Sequence, residues 1–228
     1  MLKTITFVAA SAALLATGLS AQEETPDHRL RTAARVFHEV MAAPDKGIPR
    51  DLLEKAQCVI IIPGLKKAAF LVGGDYGRGY AVCRHDAAWT GPAAIRFGGG
   101  SFGAQIGLES TDVIMLVMDR KGMENLAKDK FTVGADASAA AGPVGRTAAA
   151  DTDASLHAEI LSWSRAHGAF AGVSLDGTVV SKDGGEDRKL YGTDVENRAI
   201  LHGEVPPPAV AGVLTSELER YPKEHASR

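Results

Sequence analysis

Two enzyme-like patterns share one glycine-rich stretch of this chain. Gly98-x-Gly100-x-x-Gly103 has the spacing of a dinucleotide fingerprint, and Gly99-x-Ser101-x-Gly103 has that of a nucleophile elbow. Each needs a helix directly afterwards, to bind a phosphate at its N-terminus or to set the serine on a sharp turn. The next residues, Ala104-Gln105-Ile106-Gly107-Leu108-Glu109, alternate and contain another glycine, which is a strand pattern. No catalytic residue, and no cofactor, is expected here. Asp151-x-Asp153 with His157 could face a cation but lacks the turn glycine and terminal glutamate of a calcium-binding loop. These residues read as turn-forming acids between strands. His85 beside Asp86 has no third group to orient it and reads as a surface pair. Cys58 and Cys83 have neither a Cys-x-x-Cys partner nor nearby histidines, so no metal site is expected.

The chemistry that remains is that of cations on an amphipathic surface. Leu30, Ala33, Ala34, Phe37, Val40 and Met41 recur at spacings of three and four and predict a helix over 27–42, with Asp27 as its cap. The other faces carry Arg29, Arg31, Arg35 and His38. An apolar stripe flanked by arginines is the pattern of a helix lying in a membrane interface, and guanidinium forks suit phosphate oxygens. The same periodicity also describes a surface helix packed on a core. Lys66-Lys67 form a second basic cluster in a turn between strands, and Arg78, in the glycine-rich turn Gly73–Gly79, could add a third.

The elements that must position these residues emerge from period and punctuation. A second helix is expected around Pro49–Ala56. From Cys58 to about Val117, short apolar runs are bounded by Gly, Pro and Asp, which is strand punctuation. Eleven of the 25 glycines fall between Gly64 and Gly107, where they would let strands kink or approach closely. Such kinks suit a curled antiparallel sheet or small barrel. A short helix is expected at Arg120–Lys128. Strands resume at Phe131–Ser138, Arg146–Ala150, Ala158–Ser164, Ala169–Leu175 and Thr178–Ser181, with Asp176-Gly177 as a hairpin signal between the last two. Helices return at Asp194–Leu201 and after Pro206-Pro207-Pro208. The fold class is therefore α+β, with helices at the N- and C-terminal ends of the sheet.

Composition bounds the function. Hydrophobic residues make up 45% and charged residues 23% of 228, enough apolar surface for a packed core. A formal net charge of −3 argues against a nucleic-acid partner. Lys3, the apolar stretch from Ile5 to about Leu19 and the small residues up to Ala21 read as a secretory signal over 1–21. Its removal would take the net charge from −3 to −4. The protein is then exported, periplasmic or secreted. In an oxidising compartment Cys58 and Cys83 could be bridged; two buried thiols are the alternative.

Several segments together resemble one family, the SYLF domain. They are Ala56–Pro63 ending in Ile61-Ile62-Pro63, Lys67-Ala68-Ala69-Phe70, Gly73-Gly74-x-x-Gly77-x-Gly79, Gly99-Gly100-Ser101-Phe102-Gly103-x-Gln105-Ile106-Gly107, Gly134-Ala135-Asp136-Ala137-Ser138 leading to Gly142-Pro143, and Phe170-Ala171-Gly172-Val173-Ser174-Leu175-Asp176-Gly177. Their order across about 27–192 is the specific signal, and Ala69 stands where the family often has glycine. The resemblance implies a domain over 22–192, followed by a C-terminal helical extension over 193–228. It also implies a non-enzymatic module binding acidic lipids, phosphatidylinositol types in eukaryotic members, some of which also bind actin. By this resemblance Arg29, Arg31, Arg35 and Phe37 contact an anionic phospholipid or membrane surface, with Lys66 and Lys67 in support. The alternative is a cell-envelope structural or protein-interaction module without direct lipid recognition, its protein partner unknown.

Overall fold

The computed structural model describes residues 24–43, 47–70, 72–86, 88–102, 107–143, 158–166, 169–172 and 175–221. The expected secretory signal over 1–21, the strand at Arg146–Ala150 and the group Asp151, Asp153 and His157 lie outside the described residues.

Helix α1 (Pro26–Met41) starts where Thr25 accepts a hydrogen bond from the His28 amide at 3.3 Å, with proline in its first turn. Its whole apolar stripe is buried, Leu30 and Phe37 completely. A short α2 (Arg50–Lys55) leads into the sheet. Strand β1 (Cys58–Phe70) pairs antiparallel with both β2 (Val72–His85) and β5 (Gly107–Val117). The two apolar runs expected there are one strand, bent by a register shift between Ile61 and Lys66. Pro63 and Gly64 lie in that bulge. Gly64 has φ +58°, a backbone open to glycine at no cost, and its amide reaches Asp112 Oδ1 at 2.9 Å. Opposite the bulge, a Cβ on residue 79 would come within 2.0 Å of the Ile61 carbonyl oxygen, so only glycine fits.

The remaining strands are β3 (Ala88–Trp89), β4 (Ala93–Phe102), β6 (Lys130–Thr132), β7 (Ala139–Ala141), β8 (Ile160–Ala166), β9 (Ala169–Gly172) and β10 (Val179–Lys182). Their order is β6-β10-β4-β2-β1-β5-β8-β7, with β3 added beside β2 and β9 beside β8, and the sheet curls into a half-barrel. It is antiparallel except where β7 runs parallel to β8. Asp176-Gly177 does turn, with Gly177 at φ +82°, but it joins no hairpin. β9 pairs with β8, whereas β10 pairs with β4 and β6 on the other side of the sheet. Ser101 lies in β4 opposite Gly73, and the next described element after the Gly98–Gly103 motif is strand β5, beginning at Gly107.

Two cores form, one on each face. Val59 and Ile61 point to the face covered by α1 and α6 (Gly212–Glu219), with α4 (Gly184–Tyr191) beside them. Cys58, Ile60 and Ile62 point to the other face, which also receives Leu126 of α3 (Arg120–Leu126) and Ile200 and Leu201 of α5 (Asn197–Leu201). This explains why Val59–Ile62 reads as an unbroken apolar run: a central strand covered on both sides has no polar face. Cys58 and Cys83 are register partners on β1 and β2, with Cα atoms 4.0 Å apart, and form a disulfide in the second core. Residues 194–221 contribute Ile200 and Leu201 to one core and Leu214 and Leu218 to the other.

Candidate functional site

Helix α4 was not expected from the sequence, and it organises the polar centre of the molecule. Asp183 caps its N-terminus, accepting from the Glu186 amide at 3.3 Å, and Gly192 ends it with φ +76°. Its first turn carries Glu186 and Asp187, both buried. Arg29 of α1 donates to Glu186 Oε1, with both side chains at or below 6% exposure. The Tyr80 hydroxyl lies 3.0 Å from the same oxygen and 3.1 Å from the Pro26 carbonyl. Arg78 reaches Asp183 Oδ2 at 2.7 Å through Nε and Glu186 Oε2 at 3.2 Å through Nη2. Arg96 donates to Asp183 Oδ1 at 2.7 Å. Three arginines from three elements thus converge on two carboxylates of one helix end.

This arrangement sets the proton affinities. Burial pushes the Asp183 carboxyl up, but the hydrogen bonds from Arg96 and Arg78 outweigh it and hold it below the usual aspartate value. Burial, reinforced by the neighbouring Glu186, pushes the Tyr80 hydroxyl far up. Among the described residues Asp187 makes no ion pair. Burial raises its carboxyl to about 7, although Oδ1 accepts from the Ala94 amide at 2.7 Å. Among the described residues its Oδ2 has no partner, and neither has Oδ1 of Asn197, whose Nδ2 binds the Ala94 carbonyl at 3.2 Å.

Of the six residues assigned to lipid contact, the five whose side chains are described do not form one surface. Arg29 and Phe37 face inward: Arg29 lies in line with Ala33, Val36 and Val40 on the buried stripe, which places its guanidinium against α4. Arg31 and Arg35 are exposed, and each pairs with an acid one turn away, Asp27 at 3.0 Å and Glu39 at 2.8 Å. The exposed arginines and acids of α1 therefore balance. Lys66 is exposed on β1, opposite Tyr76. Lys67 comes next, opposite Asp75 in the register, and its side chain lies outside the described ones. The His85 ring is 3.7 Å from the Asp86 carboxylate on the surface. Among the described residues no group of three His, Cys, Asp or Glu could hold a metal ion, and no helix is long and apolar enough to cross a membrane.

Asp183, Glu186 and Asp187 were missed by sequence reasoning, although Asp183-x-x-Glu186 is a helix-start signature and Gly192 a stop. Arg29 was legible in principle, because its spacing to Ala33, Val36 and Val40 puts a cation inside the apolar stripe.

The family model described as Ysc84, Las17-binding protein actin regulator, matches residues 98–221. The chain belongs to the Ysc84 family. This Ysc84-family chain is 39% identical over 171 residues to the SH3 domain-containing protein PJ696.02 of Schizosaccharomyces pombe, covering 73% of this chain and 40% of that protein. It is 36% identical to LAS seventeen-binding protein 3 of Saccharomyces cerevisiae, over 73% of this chain and 37% of that one. It is also 33% identical to the human SH3 domain-containing YSC84-like protein 1, over 83% of this chain and 58% of that one. The chain spans 37 to 58% of the length of these relatives.

Proposed function

We propose that this chain is a non-enzymatic protein-interaction module whose N-terminal helix is a structural member of the fold. One observation carries the proposal. The apolar stripe of α1, which would have to enter a bilayer, is fully buried against the sheet, and Arg29 is tied to Glu186. Inserting that stripe into lipid would first require undocking the helix and exposing an ionic cluster. The balanced charges on the outer side of α1 supply little attraction to an anionic surface. The family's description as a Las17-binding protein and actin regulator, and the relative named LAS seventeen-binding protein 3, support a protein partner.

A second reading, association with an anionic bilayer, is favoured by exposed Lys66 beside exposed Tyr76, because cations and tyrosines suit a membrane interface. Co-sedimentation separates the two. The purified chain should pellet with actin filaments and not with phosphatidylserine vesicles. Pelleting with vesicles alone would overturn the protein-interaction reading. Export through residues 1–21 is a separate proposal, checked by N-terminal sequencing of protein recovered from outside the cytoplasm.

A further inference from the structure

We infer that the outer face of the sheet, beyond the ends of α1 and α4, binds an acidic segment of a protein partner through Tyr76, Lys66, Arg96 and Lys130. The inference rests on the protein-interaction reading and names its surface and partner chemistry. Residues directly opposed on antiparallel strands share a face. Lys66 is opposed to Tyr76, and Tyr76 to Gly98. One rung lower, Arg78 is opposed to Arg96, Arg96 to Ser181, and Ser181 to Lys130. Tyr76, Arg78 and Tyr80 alternate along β2, and Tyr80 belongs to the core beneath α1, so both rungs point outward on that side.

The helices leave these rungs open. Tyr76 is the large hydrophobic side chain left exposed among the described residues, at 55%. Lys66 and Lys130 are exposed and make no ion pair among those residues. Arg96 gives one nitrogen to Asp183, and half of its side chain remains in solvent. The charge of Arg78 is answered by Asp183 and Glu186 beneath it. Three cations on the tyrosine's face of the sheet, Lys66 beside it and Lys130 three strands away, thus stand unneutralised or half-neutralised among the described residues of a chain of net charge −3. Gly98, without a side chain, leaves a notch beside the ring.

Line and spacing favour a peptide over a bilayer. From β1 to β6 is four strand steps of ~4.8 Å, or about 19 Å, which matches about six residues of extended chain. A bilayer would require cations spread over a plane and several apolar residues to insert. Here the cations lie along two adjacent rungs and the apolar element is one tyrosine, an amphipathic anchor of the kind common at protein interfaces.

The test is fluorescence anisotropy of a labelled peptide of alternating glutamate and serine, titrated with the full chain at low and moderate salt. The parent should bind, more weakly as salt rises. Lys66→Glu with Lys130→Glu should weaken binding about tenfold or more, and Tyr76→Ser should weaken it with the melting temperature unchanged. No binding by the parent, or equal binding by the charge-reversed variant, overturns the inference. So does parent binding to phosphatidylserine vesicles in place of the peptide. Filament pelleting distinguishes the two levels: a parent that pellets with filaments but ignores the peptide loses this surface and keeps the interaction reading. A parent that does neither loses both.

Discussion

Replacing Arg29 with methionine separates a structural cation from a surface one. Methionine keeps the length and the apolar contacts of the stem but removes the charge from a pair whose side chains are 6% and 2% exposed. Removing one partner of a buried pair costs about 3–5 kcal/mol, because the other is left as an uncompensated buried charge. Glu186 would keep Arg78 at 3.2 Å and the Tyr80 hydroxyl at 3.0 Å, which places the loss at the lower end, about 3 kcal/mol. For a chain of this size that is a fall of about 6–12 °C in melting temperature. The assay is a thermal melt monitored by circular dichroism, with Arg31→Ala and Arg35→Ala as controls whose exposed pairs should leave the transition unmoved. Combining Arg29→Met with Glu186→Gln should cost less than the sum of the single losses, as coupled neighbours do. An Arg29→Met protein that melts with the parent refutes the reasoning.

Two further outcomes concern the cores. Asp187 holds its proton to about pH 7 in the fold, whereas its ordinary value is 3.8. Between those values the native state binds more protons than the unfolded chain, so this group's contribution falls as pH rises, by up to about 4 kcal/mol. Asp187→Asn should flatten that part of the stability–pH curve and stabilise the protein above pH 7; denaturant melts of variant and parent that stay parallel from pH 4 to 8 sink this account. Replacing Cys58 and Cys83 by alanine opens a link spanning 25 residues and should cost about 3 kcal/mol, read as a lower urea midpoint. An unchanged midpoint would show that the bridge contributes nothing.

The sheet was readable because its central strands are buried on both faces and its glycines punctuate them. The bend at Pro63-Gly64 was not, since two short strands and one bulged strand have the same apolar pattern. The polar centre was hidden for a different reason. Arg29, Arg78 and Arg96 meet Asp183 and Glu186 across 87 to 157 residues, and periodicity carries no information about such partners. A stripe of arginines beside leucines reads alike whether its cations meet phosphate or a buried glutamate; only the position of α4 decides. The half-barrel and the terminal helices were therefore legible, and the fate of each basic residue was not.

The polar partners of α1 and its α6 cover are made very late. Arg29 waits for Glu186, 157 residues on, and His38 for Glu217, 179 residues on. At a ribosomal rate of ~5–20 residues per second, that interval lasts about 10–40 seconds. Until then Leu30, Phe37, Val40 and Met41 have the α2, β1 and β2 side of their pocket but lack the cover that Leu214 and Leu218 of α6 provide. The earliest of the described elements is thus among the last to be fully covered. Refolding of the isolated chain should accordingly be slow, governed by these distant closures. A holding chaperone that covers the first helix would raise the yield of folded protein without changing its final stability.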